Sequence, residues 1–192
     1  MSSTKSYPFT ASGNAVVGTN TVTFSGSGVL SQDGLKAATF EGRPALQKTS
    51  SMTGTITGNG VTVPINGTST TYIDSNYVPL GDVTSSGYAV VSNASSIPDT
   101  GTLGSTGVWY TEKLYRSSAK VSILGTMTVS YVIEPDVNPD TSILKIIQVI
   151  TDNTGQVING SVSYRMAPSG SLVRISEIGY VPSANLTISI SY

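Results

Sequence analysis

The chain has 192 residues, a net charge of −1 and only 11% charged residues, which gives no electrostatic reason to bind nucleic acid or an anionic membrane surface. It contains no cysteine and no histidine, which excludes a Ser-His-Asp triad, a thiolate nucleophile and the usual nitrogen–sulfur zinc site. No apolar run has the length of a membrane span. The length predicts one domain, 1–192, with residues 1–6 as a frayed end.

Short strands separated by glycine-containing turns are predicted in the first quarter of the chain. They lie at Tyr7–Thr10, Ala15–Val17 and Thr21–Leu30, because apolar and polar side chains alternate there. Leu35–Gln47 is the one segment where a helical turn is plausible, and a glycine and a proline keep it short.

The middle of the chain is predicted to contain a hairpin and several separate strands. An asparagine–glycine turn at Asn59 is the strongest short hairpin signal. The longest irregular segment is Ser92–Gly107. The predicted strands of this region are Ser51–Thr57, Val61–Ile65, Thr68–Ile73, Tyr88–Val91 and Val108–Tyr115.

The last third of the chain is the most regular, since short apolar runs alternate with turn residues. Ser142–Asp152 is apolar at both odd and even positions, which predicts a central strand covered on both faces. Five antiparallel strands in a meander are predicted here: Val121–Glu134, Ser142–Asp152, Ile158–Met166, Leu172–Tyr180 and Leu186–Tyr192. The fold class is therefore all-β, an antiparallel meander forming a β-sandwich or a curved, partly closed β-barrel.

Aromatic side chains are the candidate ligand-binding residues, because exposed aromatic rings stack on sugars or anchor partners. Buried aromatics of a β-fold look the same in a sequence, and that alternative stays open. Strict alternation along Val108–Tyr115 predicts that Trp109 and Tyr115 share one face and that Tyr110 lies on the other. The candidates are Trp109, Tyr110, Tyr115, Tyr72 and Tyr77.

A second candidate site is the loop of Asp136, Asn138 and Asp140, whose spacing matches the start of a calcium-binding loop. The loop lacks the glycine and the final glutamate of that motif, so an acidic hairpin loop without metal is the alternative. No other cofactor is expected.

Catalysis would have to rest on carboxylates or on a serine–lysine pair. The segment around Ser118 and Lys120 carries no signature of such a pair. Two carboxylates at the required separation could hydrolyse glycosides, and the candidates are Asp74, Asp82, Asp99, Glu112, Glu134 and Asp136.

Several short segments of the sequence resemble a group of uncharacterised secreted lipoproteins of Gram-negative, mainly proteobacterial, genomes. They are Thr39–Leu46, Ser69–Gly81, Asp99–Gly104 and Val129–Asp136. The resemblance implies export to the periplasm, the outer membrane or the exterior, with a lipid anchor on a cysteine absent here as one route. It implies no activity. No signal peptide is visible, and the start at Met1 fits a chain whose export signal has been replaced.

Three functions follow as hypotheses. The first is an exported, non-catalytic envelope protein that binds an unknown ligand, carbohydrate or lipid, or acts as a scaffold. The second is a self-assembling subunit of a surface filament or virion, which pairs through edge strands such as Tyr7–Thr10 or Leu186–Tyr192. The third is a carboxylate-based glycoside hydrolase. Because Leu186–Tyr192 carries no charged side chain, this strand is predicted to be paired, within the domain or with another copy.

Overall fold

The computed structural model describes residues 4–97, 101–182 and 185–192. Thirteen strands follow one another with antiparallel neighbours. They are β1 (Lys5–Val17), β2 (Asn20–Gln32), β3 (Lys36–Phe40), β4 (Arg43–Gly58), β5 (Val61–Ile73), β6 (Pro79–Thr84), β7 (Tyr88–Ala94), β8 (Thr106–Tyr115), β9 (Ile123–Pro135), β10 (Ser142–Asp152), β11 (Val157–Met166), β12 (Leu172–Val181) and β13 (Leu186–Ser191).

The sheet closes on itself through strands that are distant in sequence. β1 pairs with both β2 and β13, and the other edge of β2 pairs with β4. The result is a closed barrel of 12 strands, with β3 attached beside it to the first residues of β4. The all-β antiparallel meander is thus confirmed, and the sheet forms a barrel rather than a sandwich, one that is more closed than the predicted partly closed barrel. Closure arises because β4 is long enough to pair with β3 near Arg43 and with β2 from Ser50 onward.

The five C-terminal strands are confirmed, with ends within two residues of those predicted for β9 to β13. The N-terminal predictions are less accurate. β1 is one strand, because at Gly13 the missing Cβ makes room for the ring of Phe24 on the neighbouring strand. The predicted helical turn is wrong, since β3 and β4 form a hairpin around Glu41 and Gly42, both at positive φ. β5 is one strand where two were predicted, and β6 was not predicted.

Cross-strand register shows which side chains point into the barrel. Tyr131 lies opposite Ile146, and Val129 lies opposite Gln148, so these side chains share the inner face. The main core is a set of buried inward side chains from β8, β9 and β10: Tyr110, Val129, Tyr131, Ile133, Leu144 and Ile146.

The outer face of the wall is dominated by threonine and serine. Hydroxyl pairs join neighbouring strands there, with Thr49 Oγ1 3.1 Å from Thr70 Oγ1. The prediction that β10 is covered on both faces is wrong, because its outward Ile143, Ile147 and Val149 remain partly exposed on this single wall.

A second, smaller core lies on the outer face, under the β3–β4 hairpin. Phe40 is 3% exposed and stacks on Tyr72 and Tyr88. Tyr72 lies opposite Gly81, whereas the neighbouring pair of Thr71 and Asp82 points inward. The hairpin therefore packs against the outside of the wall.

The terminal strand is paired within the chain, which is one of the two arrangements predicted for Leu186–Tyr192. β13 lies between β12 and β1, and Tyr7–Thr10 pairs with β2. The two segments proposed as assembly edges thus belong to the barrel wall. Among the described residues there is no helix of the length and hydrophobicity needed to cross a membrane.

Candidate functional site: the barrel lumen

The barrel encloses a cavity of about 1080 Å³. Large residues from β8 to β11 fill one side of the lumen, whereas on the opposite side β4 and β5 contribute several small side chains beside Lys48, Met52 and Ile73. Because small residues cannot reach across the lumen, the space next to them stays open. The small lining residues of this side are Ser50, Gly67, Ser69 and Thr71.

Three of the five predicted aromatic residues line the cavity: Trp109, Tyr110 and Tyr115. Irregular pairing of β8 with β9 at Val108/Tyr110 and at Leu114/Tyr115 interrupts the alternation of faces. The prediction that Tyr110 faces away from Trp109 is therefore wrong, whereas Tyr115 lies opposite Tyr88, which packs in the core on the outer face. The rings of Trp109 and Tyr110 meet edge to face, with centroids 5.0 Å apart.

The other two predicted aromatics lie elsewhere. Tyr72 belongs to the outer core beneath Phe40. Tyr77 is 65% exposed in the turn between β5 and β6. The five residues therefore do not form one site.

Two of the six candidate carboxylates, Asp82 and Glu112, come together inside the lumen. Glu112 is 0% exposed and neither of its carboxylate oxygens has a formed hydrogen bond. Asp82 accepts a 2.5 Å hydrogen bond from the Thr71 hydroxyl. Burial, followed by the neighbouring Asp82 charge, raises the pKa of Glu112 to about 9. Burial also raises the pKa of Asp82, against the lowering effect of its hydrogen bonds, so the pair retains a proton at neutral pH.

The remaining acidic candidates that the structure describes have local partners. Asp74 accepts the backbone N–H groups of Asn76 and Val78 at 2.8 and 2.9 Å. Glu134 Oε1 lies 3.6 Å from Lys145 Nζ. Asp99 lies outside the described residues.

In the predicted calcium loop, side-chain oxygens of Asp136 and Asn138 already accept hydrogen bonds from other groups of the protein. Asp136 accepts a 2.6 Å hydrogen bond from Arg165 Nε and a 2.7 Å one from the Thr141 hydroxyl, and the Arg165 hydrogen bond helps to lower the pKa of Asp136 to about 2. The Asn138 side-chain oxygen accepts the N–H of Asp140 at 3.1 Å. A cation would have to compete with this arginine, and the described residues hold no cluster of three acidic side chains able to ligate a metal.

The lysine of the serine–lysine candidate, Lys120, also has a partner within the protein. Lys120 forms an ion pair with Glu41, whose other carboxylate oxygen accepts the Tyr88 hydroxyl at 2.5 Å. This contact joins the β8–β9 loop to the β3–β4 hairpin and places the Lys120 ammonium on a carboxylate.

Sequence reasoning missed a basic group on the other side of the lumen. Lys48 and Arg174 both line the cavity, together with Glu177. Arg174 Nη2 lies 2.6 Å from Glu177 Oε1. The sequence offered one indication of this position. Side chains two positions apart lie on the same face of a strand, so Lys48 shares its face of β4 with Ser50 and Met52.

No family model matches the chain, and no curated protein matches it. Among solved structures, one match is the crystal structure of a "putative exported protein with YmcC-like fold" from Bacteroides fragilis. It is 12% identical, with coverage of 96% of this chain and 92% of that chain, and the TM-score is 0.34. That similarity is too low to carry an argument about this chain.

Proposed function

We propose that the protein is an exported, non-catalytic protein of a Gram-negative cell envelope that binds a small ligand in its barrel lumen. The observation that carries the proposal is the cavity of about 1080 Å³, which is bordered by the buried Arg174 Nε without a hydrogen-bonding partner. Ligand sites have this order of size, with apolar walls and a few fixed polar groups. Buried polar atoms are expensive to leave unpaired, and a bound molecule would satisfy them.

Binding fits the acidic pair better than catalysis does. Asp82 and Glu112 adjoin closely enough to share a hydrogen bond when one is protonated. Glycoside hydrolases instead hold two carboxyls roughly 5 Å or more apart, on either side of the bond that breaks.

Export is supported by composition and by the outer wall. Only 11% of residues are charged, and hydroxyl side chains replace charges on the outward face of the strands. The resemblance to secreted Gram-negative proteins agrees with this assignment, which includes the periplasm, the outer-membrane surface and the exterior.

Trp109, the single tryptophan, lines the cavity, and its fluorescence therefore reports on the lumen. We expect a saturable emission change and a raised melting temperature when the protein is titrated with a member of a panel of ten-carbon amphiphiles and short oligosaccharides. Binding to the folded state alone raises stability by mass action.

The matched controls lie on β5. Ser69→Leu fills the cavity and should abolish the response, whereas Thr70→Leu on the outward face should preserve it. No saturable response to any class of the panel, or an equal response in Ser69→Leu, would reject the proposed function.

A further inference from the structure

We propose that the ligand of the lumen is an amphiphile with an anionic group, a carboxylate or a phosphate, that binds between Lys48 and Arg174. This inference rests on the proposed function and specifies its ligand class. Neither residue belongs to the aromatic or acidic groups considered so far.

Lys48 is an ammonium group without an anionic partner. Its Nζ donates a 2.9 Å hydrogen bond to the neutral Gln32 Oε1, and it takes part in none of the ion pairs found among residues 4–97, 101–182 and 185–192. Burial, followed by the positive charges of Arg174 and Lys5, lowers the pKa of Lys48. A half-buried cation in a positive environment is stabilised by an incoming anion.

Arg174 is held rigidly and is incompletely satisfied. Its guanidinium lies over the Tyr192 ring at 5.1 Å and over the Tyr164 ring at 6.0 Å, and Nη2 contacts Glu177. Its Nε is buried without a hydrogen-bonding partner. Glu177 also accepts the Tyr192 hydroxyl, so this carboxylate is shared between Arg174 and Tyr192.

The acidic pair does not neutralise Lys48. In the register of β4, β5 and β6, Thr71 stands between Lys48 and Asp82, and Lys48 extends the other way, toward Gln32 on β2. The raised pKa of Glu112 keeps a proton on the pair. The lumen is therefore positive on its β4 and β12 side.

The rest of the cavity wall fits an apolar body. Apolar side chains of β2, β4, β10 and β11 also line the cavity: Leu30, Met52, Leu144, Ile146 and Val162. Burial of apolar surface against such a wall is favourable. An acid group on an aliphatic or aromatic body satisfies both parts of the site.

The test compares ligands with one ten-carbon chain and different head groups, with Trp109 emission and calorimetry as readouts. Decanoic acid and decyl phosphate should bind at least about tenfold more tightly than decanol, since hydrogen bonds to charged groups exceed neutral ones, and decylamine should bind more weakly still. Lys48→Met should remove most of the preference for acid over alcohol and leave the decanol affinity unchanged. Lys113→Met, an exposed lysine of β8, is the matched control and should change neither.

Each alternative outcome has a distinct meaning. Decanol that binds as tightly as decanoic acid, or an unchanged preference in Lys48→Met, overturns the inference but leaves lumen binding standing. Free phosphate that binds as tightly as decyl phosphate also overturns it, because the site then takes a small anion. No response to any of these ligands overturns the inference, and the proposed function itself is rejected only when the short oligosaccharides also give no response. Lys48 is the primary variant because truncation of Arg174 would leave Glu177 without its ion-pair partner and could affect folding.

Discussion

Glu112→Gln is expected to stabilise the protein at pH 8 and to remove most of the pH dependence of its unfolding between pH 5 and 8. Glu112 has an ordinary pKa near 4.5 when exposed and about 9 in the folded barrel. Between these values the folded state holds a proton that the unfolded state has released. Stability therefore falls as pH rises, by about 1.4 kcal/mol per pH unit for one proton. Glutamine carries no titrating proton, and its amide can donate to Asp82.

The measurement is urea unfolding at pH 5, 6, 7 and 8 for the wild type and the variant. The carboxyls with lowered pKa values, such as Asp136 and Asp152, have lost their protons below this window and do not contribute to the slope. Glu134→Gln, an outward glutamate on the next strand, is the control and should keep the wild-type slope. An unchanged slope in Glu112→Gln would show that the buried pair does not control the pH dependence.

Deletion of Asn185–Tyr192 is expected to leave the protein unfolded or insoluble. This segment contains β13, which joins β12 to β1 and closes the barrel. Its loss exposes two strand edges and removes the inward Ile188 and Ile190. It also removes Tyr192, whose ring lies against Phe9 at 6.1 Å and against Arg174.

Two double variants separate the loss of inward packing from other effects of truncation. Ile188→Asp with Ile190→Asp keeps the chain length but places charges in the lumen, and should be as severe, because a buried unpaired charge is strongly destabilising. Thr187→Ala with Ser189→Ala changes the outward face of the same strand and should stay folded. Circular dichroism and size-exclusion chromatography provide the readout, and a soluble, fully folded truncation would contradict the expectation.

The candidate site was only partly accessible from sequence. Asp82 and Glu112 were both among the acidic candidates, but they lie 30 positions apart on strands separated by β7, and no local pattern pairs them. Trp109 and Tyr110 were assigned to opposite faces because a β-bulge leaves no reliable trace in a sequence. Lys48 and Arg174 were not among the candidates, since only closure of the barrel makes their face an interior one.

The sequence by itself determined the strand meander from Ile123 to Ser191, the Asn59–Gly60 hairpin and the absence of histidine and cysteine chemistry. These are local properties, fixed by the two-residue period of strands and by the backbone preferences of glycine, asparagine and proline. Only the tertiary structure decided the closure of β2 on β4 and of β13 on β1, and with it which face became the lumen. Those pairings depend on the packing of segments far apart in the chain, which no local pattern records.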